Sequence, residues 1–294
     1  MFVLILHTLI LLQRSSGEQS SEREIATSFS LSLVIPSAFV KFVVEKALIN
    51  SWKKNMNKKQ LIQSRLSEFH PLVALFDMDG VLYDSMPRHA RSWHETMAFY
   101  GLAMSEEEAY ACEGMRGVET IRLIARRQWG REVSDEEAQK MYAEKSRMYS
   151  SLGTAPLIPG ILDVHRALRE RGIHIGVVTG SGQATLLRRI SEDFKATITP
   201  GLIVTANDVR HGKPSPEPYQ QGLKKAAALL GFESIAPSEA IVIENAPLGV
   251  RSAVAAGCFT VAVNTGPLPD AALYDEGADV VFSDMHELAE AILG

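Results

Sequence analysis

From residue 72 onward, short runs of branched and aromatic residues recur, and several of them stop at a polar side chain. The runs cover 72–76, 173–178, 202–204, 240–243, 260–263 and 279–282. They are too short for helices and too evenly apolar for strands with one wet face, so they read as strands of a parallel sheet buried on both sides. The segments between them keep helical spacing. Ile161, Val164 and Leu168 share a face and Gly172 follows; Tyr219, Leu223, Ala226 and Leu230 share another, with Gly231 after them. Glycine just past such a stripe supplies the left-handed turn that ends a helix. The alternation predicts an α/β fold. In open sheets of this kind, ligands bind beyond the carboxyl ends of the strands. Asp77, Thr179, Glu244 and Asn245 stand at those ends and are predicted to converge.

Between residues 83 and 159 the strand signal vanishes. Ser105 with Glu108 and Ser134 with Glu137 have capping-box spacing, and Val118, Ile121, Ile124 and Ala125 form a helical stripe. A helical insertion over 85–156 is expected, dividing a Rossmann-like core into 71–84 and 157–294. A cap lying over the crevice would exclude water from it.

Residues 1–70 read as an N-terminal extension. Residues 1–12 are apolar apart from His7 and Thr8, shorter than the ~20 residues that span a bilayer. No positive charge precedes the run and no small-residue cleavage site follows it, so it is a poor secretion signal. The stretch 31–44 holds Pro36 and Lys41, and Lys53, Lys54, Lys58 and Lys59 read as a solvated linker. Translation starting at Met56 is a further expectation from this pattern.

Composition is that of an ordinary globular protein, with 46% hydrophobic and 22% charged residues over 294 positions. The net charge of −5 gives no general pull toward nucleic acid or anionic membrane, so any phosphate site must be built locally. Two cysteines, Cys112 and Cys258, are too few for a disulfide framework and fit a reducing compartment. A cytoplasmic location is expected, with secretion through the apolar leader as the alternative.

Asp77-Met78-Asp79-Gly80 sets two carboxylates two residues apart at a strand end. With strand geometry both point the same way and Met78 points to the other face. One can attack while the other handles protons, and Gly80 permits a sharp turn. A calcium loop would need further acids and a Glu at its twelfth position, where Arg88 stands. Thr179-Gly180-Ser181-Gly182 lacks the third glycine of a dinucleotide loop.

Four segments in order, Asp77-Met78-Asp79-Gly80, Val178-Thr179-Gly180-Ser181, Gly212-Lys213-Pro214 and Ile243-Glu244-Asn245-Ala246-Pro247, resemble the signature of the haloacid dehalogenase-like superfamily over residues 72–294. That resemblance implies that Asp77 attacks phosphorus and becomes an aspartyl-phosphate. Asp79 would protonate the leaving oxygen and then deprotonate water, a role that contributes ~10²- to 10⁴-fold. Thr179, Gly180 and Ser181 would hold phosphoryl oxygens, Lys213 would neutralise charge, and Mg2+ would lie among Asp77, Asp79, Glu244 and Asn245. Many relatives carry an acid at the position of Asn245; the amide removes one negative charge. A non-catalytic phosphate-binding protein is the alternative of a different class.

Asp84-Ser85-Met86-Pro87-Arg88-His89 and the small cap resemble the β-phosphoglucomutase subgroup. Mutases grip a second phosphate with a Lys and an Arg of the cap loop, but here Glu113 stands in place of that Lys within Cys112-Glu113-Gly114-Met115-Arg116-Gly117. This stretch, with residues 242–249 and 262–268, is similar to a bacterial branch that hydrolyses inorganic pyrophosphate, in which the cap glutamate reaches the metal site. His89 and Arg116 are candidates for holding the cap or a substrate oxygen. Pyrophosphate is the expected substrate, small phosphosugars the second choice and β-phosphoglucomutase activity the third; no nucleic-acid partner is expected, and nothing in the sequence points to a protein partner.

Overall fold

The computed structural model describes residues 56–294 except 183; the expectations for residues 1–55 lie outside the described residues. Six strands, β1 (Val73–Phe76), β2 (His174–Val178), β3 (Ile203–Val204), β4 (Ala240–Glu244), β5 (Phe259–Val263) and β6 (Val280–Phe282), form one sheet in the order β3-β2-β1-β4-β5-β6. Every pairing is parallel. Each strand lies within two residues of the run expected for it.

Period-two alternation sorts β1 between two cores. Ala74 and Phe76 pack on one side with Ile161, Val164, Leu168 and Leu288, whereas Val73 and Leu75 pack on the other with Tyr219, Leu223 and Ala226. Both faces are thus dry, which is why β1 carries no polar residue and β4 none before Glu244. Phe76 is level with Val177 of β2 and with Ile243 of β4. Asp77 and Glu244 therefore emerge side by side, with Thr179 close by. Chain direction across the sheet reverses between β1 and β4, the place where such sheets open a crevice.

The expected insertion is entirely helical, with helices Met86–Phe99, Glu106–Ala111, Gly117–Trp129 and Asp135–Ser151. It has its own apolar core, including Trp93, Met97, Ile121, Ile124 and Met141. Two linkers join it to the sheet and pair with each other: the Asp84 amide donates to Pro156 O at 2.9 Å and the Ile158 amide to Leu82 O at 3.0 Å. Ser105 and Glu108 form the expected reciprocal capping box. Ser134 caps its helix, but the Glu137 side chain turns away to Arg131, at 2.7 and 3.0 Å; a bidentate guanidinium partner displaces the second half of the box.

The boundary expected at residue 70 requires correction. Helix Lys58–Glu68 belongs to the core, with Ile62 and Leu66 buried in the same apolar cluster as Leu288 and Ile292. Gln63 donates to Ile292 O at 2.8 Å and Lys58 pairs with Glu287 at 3.2 Å. Its apolar face is narrow, so in sequence it resembles a charged linker. Among the described residues no helix is long and apolar enough to cross a membrane.

Candidate active site

At the end of β1 the chain turns sharply. Gly80 has φ +79°, and a Cβ there would stand 2.1 Å from Asn245 Nδ2, so this position needs glycine both for its backbone conformation and for space. The turn is fixed by the Gly80 amide donating to Tyr83 O at 2.8 Å and by Thr265 Oγ1 donating to Gly80 O at 2.7 Å. Asp77 and Asp79 line one cavity, while Met78 is buried in the sheet core.

Lys213 is the site's only fully buried cation among the described residues that touches these acids. Its ammonium donates to Asp77 Oδ1 and, at 2.6 Å, to Glu244 Oε1. Burial works against that charge, but the two carboxylates outweigh it and raise the ammonium above its ordinary range. Asp77 shows the opposing balance: burial pushes its carboxyl up to about 7, with Lys213 pulling it down and Glu244 and Asp79 pushing it further up. A carboxylate so poorly solvated is a reactive nucleophile whenever a cation keeps it ionised.

Glu244, expected as a metal ligand, is buried at the end of β4 and held by hydrogen bonds on both oxygens. Oε1 accepts from Lys213 and, at 2.5 Å, from the Tyr219 hydroxyl; Oε2 accepts from the Asn245 amide at 3.1 Å. Oε1 holds Lys213 beside Asp77, while Oε2 is taken up by the backbone that follows β4. Gly249 packs directly on this carboxylate, where a Cβ would meet it at 2.0 Å.

Asp79 is held from the cap side. The Ser85 hydroxyl donates to its Oδ1 at 2.5 Å, and His89 Nε2 lies 3.1 Å from the same oxygen. Lys145 donates to His89 Nδ1 at 2.6 Å, so Nδ1 is the acceptor and Nε2 carries the proton toward Asp79. Burial opposes ionisation of Asp79, but His89, Ser85 and Lys145 hold its carboxyl below the ordinary range. Burial pushes Lys145 down to about 8, and its ammonium lies 5.0 Å from the Trp93 ring centre and 5.1 Å from that of Tyr149.

The cap delivers Glu113 to the core. Its Oε2 accepts from Asn245 Nδ2 at 3.1 Å, and burial, with Asp77, Asp79 and Glu244 adding to it, raises its carboxyl well above the ordinary range. Glu113 Oε1 and Asn245 Oδ1 are buried without a hydrogen-bond partner. Two orphaned oxygens beside several acids and a single ammonium fit a hard divalent cation, which takes oxygen ligands. No trio of His, Cys, Asp or Glu among the described residues is gathered into a ready-made metal centre; the donors here mix carboxylates with an amide oxygen.

Gly180 and Ser181 line the same cavity. The Ser181 amide donates to Thr179 Oγ1 at 3.0 Å, so the buried threonine shapes the loop. Arg116 is not in this cavity: it is exposed, donates to Arg210 O at 3.2 Å and borders a small separate recess with Thr179 and Lys213. Asp77, Asp79, Glu113, His89, Gly180 and Ser181 are brought together and Arg116 is left at the rim. Sequence reasoning missed Tyr219 and Lys145 as site residues. Tyr219 reads as one member of an apolar helical stripe, and Lys145 as one charge on a strongly charged helix.

A family model described as haloacid dehalogenase-like hydrolase matches residues 74–263. Hexitol phosphatase A of Escherichia coli (strain K12) is 34% identical over 65% of this chain and 82% of that protein. The 2-deoxyglucose-6-phosphate phosphatase 1 of Saccharomyces cerevisiae is 28% identical over 76% of this chain and 92% of that protein. A solved structure described as a putative β-phosphoglucomutase from Bacteroides vulgatus is 44% identical, with TM-score 0.70, covering 80% of this chain and 96% of that one.

Proposed function

The chain belongs to the haloacid dehalogenase-like hydrolases and is a phosphohydrolase, and from that premise we propose that it is a magnesium-dependent enzyme whose substrate is inorganic pyrophosphate. The observation that carries the choice is Glu113 seated against Asn245, closing a cavity of about 100 Å³. That is well below the roughly 300–1,000 Å³ of ordinary small-molecule sites. A carboxylate at the cap tip repels a second phosphate held there as a mutase holds it, yet it suits a cation shared with a compact anion.

In this mechanism Asp77 Oδ attacks phosphorus and the P–O bond to the leaving group breaks. Lys213, locked by Glu244 and Tyr219, offsets the charge that gathers beside the nucleophile. Gly180 and Ser181 orient the transferring phosphoryl group, and Asp79, ionised in the resting site and aimed by His89 and Ser85, relays to the leaving oxygen a proton that the protonated substrate brings in. Asp79 later takes one from the water that cleaves the aspartyl-phosphate. Mg2+ would be held by Asp77, the Asp79 main-chain oxygen, Glu244 and Asn245, with Glu113 beside them, and would supply charge neutralisation of the phosphoryl oxygens. Glu244 also supports the site through Lys213.

A second reading, a small phosphosugar or polyol phosphatase, is favoured by the aromatic wall of Trp93, Tyr142 and Tyr149 in the same cavity and by the names of the curated relatives. Turnover of pyrophosphate, hexose monophosphates and β-glucose 1-phosphate, each with Mg2+ and with a chelator, separates the two. Mg2+-dependent pyrophosphate hydrolysis as the fastest reaction is expected. Brisk hexose phosphate turnover without it would replace the first reading by the second.

A further inference from the structure

One side chain outside the catalytic machinery touches both linkers of the cap. Arg189 lies on helix Ala184–Asp193, which starts just after the Gly180–Ser181 loop and supplies Leu186 to the cavity wall. Its guanidinium is 4.3 Å from the ring centre of Tyr83, in the entry linker, and its Nη2 donates to Ala155 O, in the exit linker, at 2.5 Å. Its Nε donates to Asp193 Oδ2 at 3.0 Å, and the Tyr83 hydroxyl donates to that same oxygen at 3.0 Å.

We propose that Arg189 is a positioning residue that ties closure of the cap to the loop that holds the phosphoryl group. The proposal rests on the phosphohydrolase function given above, in which Glu113 and His89 act only when the cap brings them to the core. The linkers are bonded to each other, so they bend as a unit, and Arg189 anchors that unit to the core. Tyr83 in turn bonds through its backbone to Met78 and Gly80, so the clamp is one residue removed from the Asp77–Asp79 turn.

An Arg–Asp pair four apart on a helix surface contributes little by itself. Here the guanidinium is one-quarter exposed, stacks on a buried ring and reaches a carbonyl in another segment. A planar fork can make these contacts together and a lysine cannot. On the cap side Arg88 reaches Asp84 O and Leu152 O at 3.3 and 3.4 Å, a looser hold that leaves Arg189 as the tighter anchor.

Cys112 lines the cavity beneath the cap and Cys258 is buried in the core, so thiol labelling of the full chain reads cap opening without any turnover. With a maleimide probe, Arg189→Ala is expected to speed labelling of Cys112 about tenfold, the effect of losing one charge-assisted hydrogen bond that favours the closed state. Cys258 should stay protected. Orthophosphate with Mg2+ should slow Cys112 labelling in the wild type and much less in the variant. Arg189→Lys should behave like Arg189→Ala. Unchanged Cys112 labelling in Arg189→Ala would overturn the proposal. Equal acceleration at Cys258 would overturn it too, because it marks general unfolding. Absent pyrophosphate turnover in the wild type would sink the substrate choice and leave these labelling outcomes standing.

Discussion

The side-chain amide of Asn245 donates to Glu113 Oε2 at 3.1 Å across the joint between core and cap. A cap side chain thus closes the site only when the cap is down, and a substrate larger than the cavity must displace it. Glu113→Ala is therefore expected to lower kcat/KM for pyrophosphate about 10- to 100-fold, the weight of one or two charged interactions, with a smaller effect on hexose phosphates. Parallel steady-state measurements with both substrates check this, and equal losses would remove Glu113 from substrate selection.

Asp77 and Asp79 have separate tasks and should fail differently. Asp77→Asn keeps the shape, loses the nucleophile and should reduce turnover by on the order of 10⁴-fold or more. Asp79→Asn should lose about 10²- to 10⁴-fold, and less for substrates with good leaving groups, which need little protonation. A p-nitrophenyl phosphate series against pyrophosphate, with circular dichroism as a fold control, distinguishes the two variants. Wild-type rates for Asp77→Asn would refute the covalent mechanism.

The elements that position these acids were legible because burial on both faces forces β1 and β4 to be apolar until they end, which makes Asp77 and Glu244 stand out. The convergence of Asp77 and Glu244 followed from the rule for strand ends, whereas Lys213 was placed beside them by the family resemblance. What was illegible depends on side chains meeting across long separations. Nothing local marks Tyr219, whose hydroxyl is taken up by a carboxylate 25 residues later, or Lys145, which meets His89 56 residues away. Helix Lys58–Glu68 was illegible for another reason: two buried apolar residues and one buried arginine anchor it, too few to show a period.

Lys145 fixes the His89 tautomer by donating to Nδ1. Lys145→Met preserves length and apolar stem but leaves His89 free to turn, so Asp79 loses its aim. We expect kcat to fall about 10- to 100-fold, part of the full contribution of acid–base catalysis, with KM nearly unchanged. Stability should hold or rise, because a buried cation in an aromatic setting is costly. Rapid-quench kinetics and urea unfolding test the two halves; a KM effect alone would place Lys145 on the substrate instead.

Gly249 offers a test in which two magnitudes compete. In helix Pro247–Ala255, replacing glycine by alanine ordinarily stabilises by roughly 0.5–1 kcal/mol. Here the new Cβ would stand 2.0 Å from Glu244 Oε1, and Glu244 cannot retreat because Lys213 and Tyr219 hold it. Overpacking of this kind costs about 1–3 kcal/mol, so Gly249→Ala should be destabilising and should displace Lys213, lowering kcat as well. Urea midpoints and kcat measured on one preparation decide it; a stabilised, fully active variant would show that Glu244 is mobile.

Stability should also fall in mild acid through a group outside the site. His165 is buried between the Phe76 and Phe194 rings, with Nδ1 2.9 Å from Thr197 Oγ1 and Nε2 without a partner. Burial pushes its imidazole from 6.5 down to about 3. Below 6.5 the unfolded chain therefore binds a proton that the folded chain refuses, and the folded state loses ground as pH falls toward 3; above 6.5 the contribution is complete. Between pH 7 and 5 this amounts to on the order of 2 kcal/mol. His165→Gln removes the titration, so its unfolding free energy should drop by about that much less over the same interval. Urea unfolding of both proteins at pH 7 and pH 5 measures the difference, and identical drops would mean that His165 takes up its proton without unfolding.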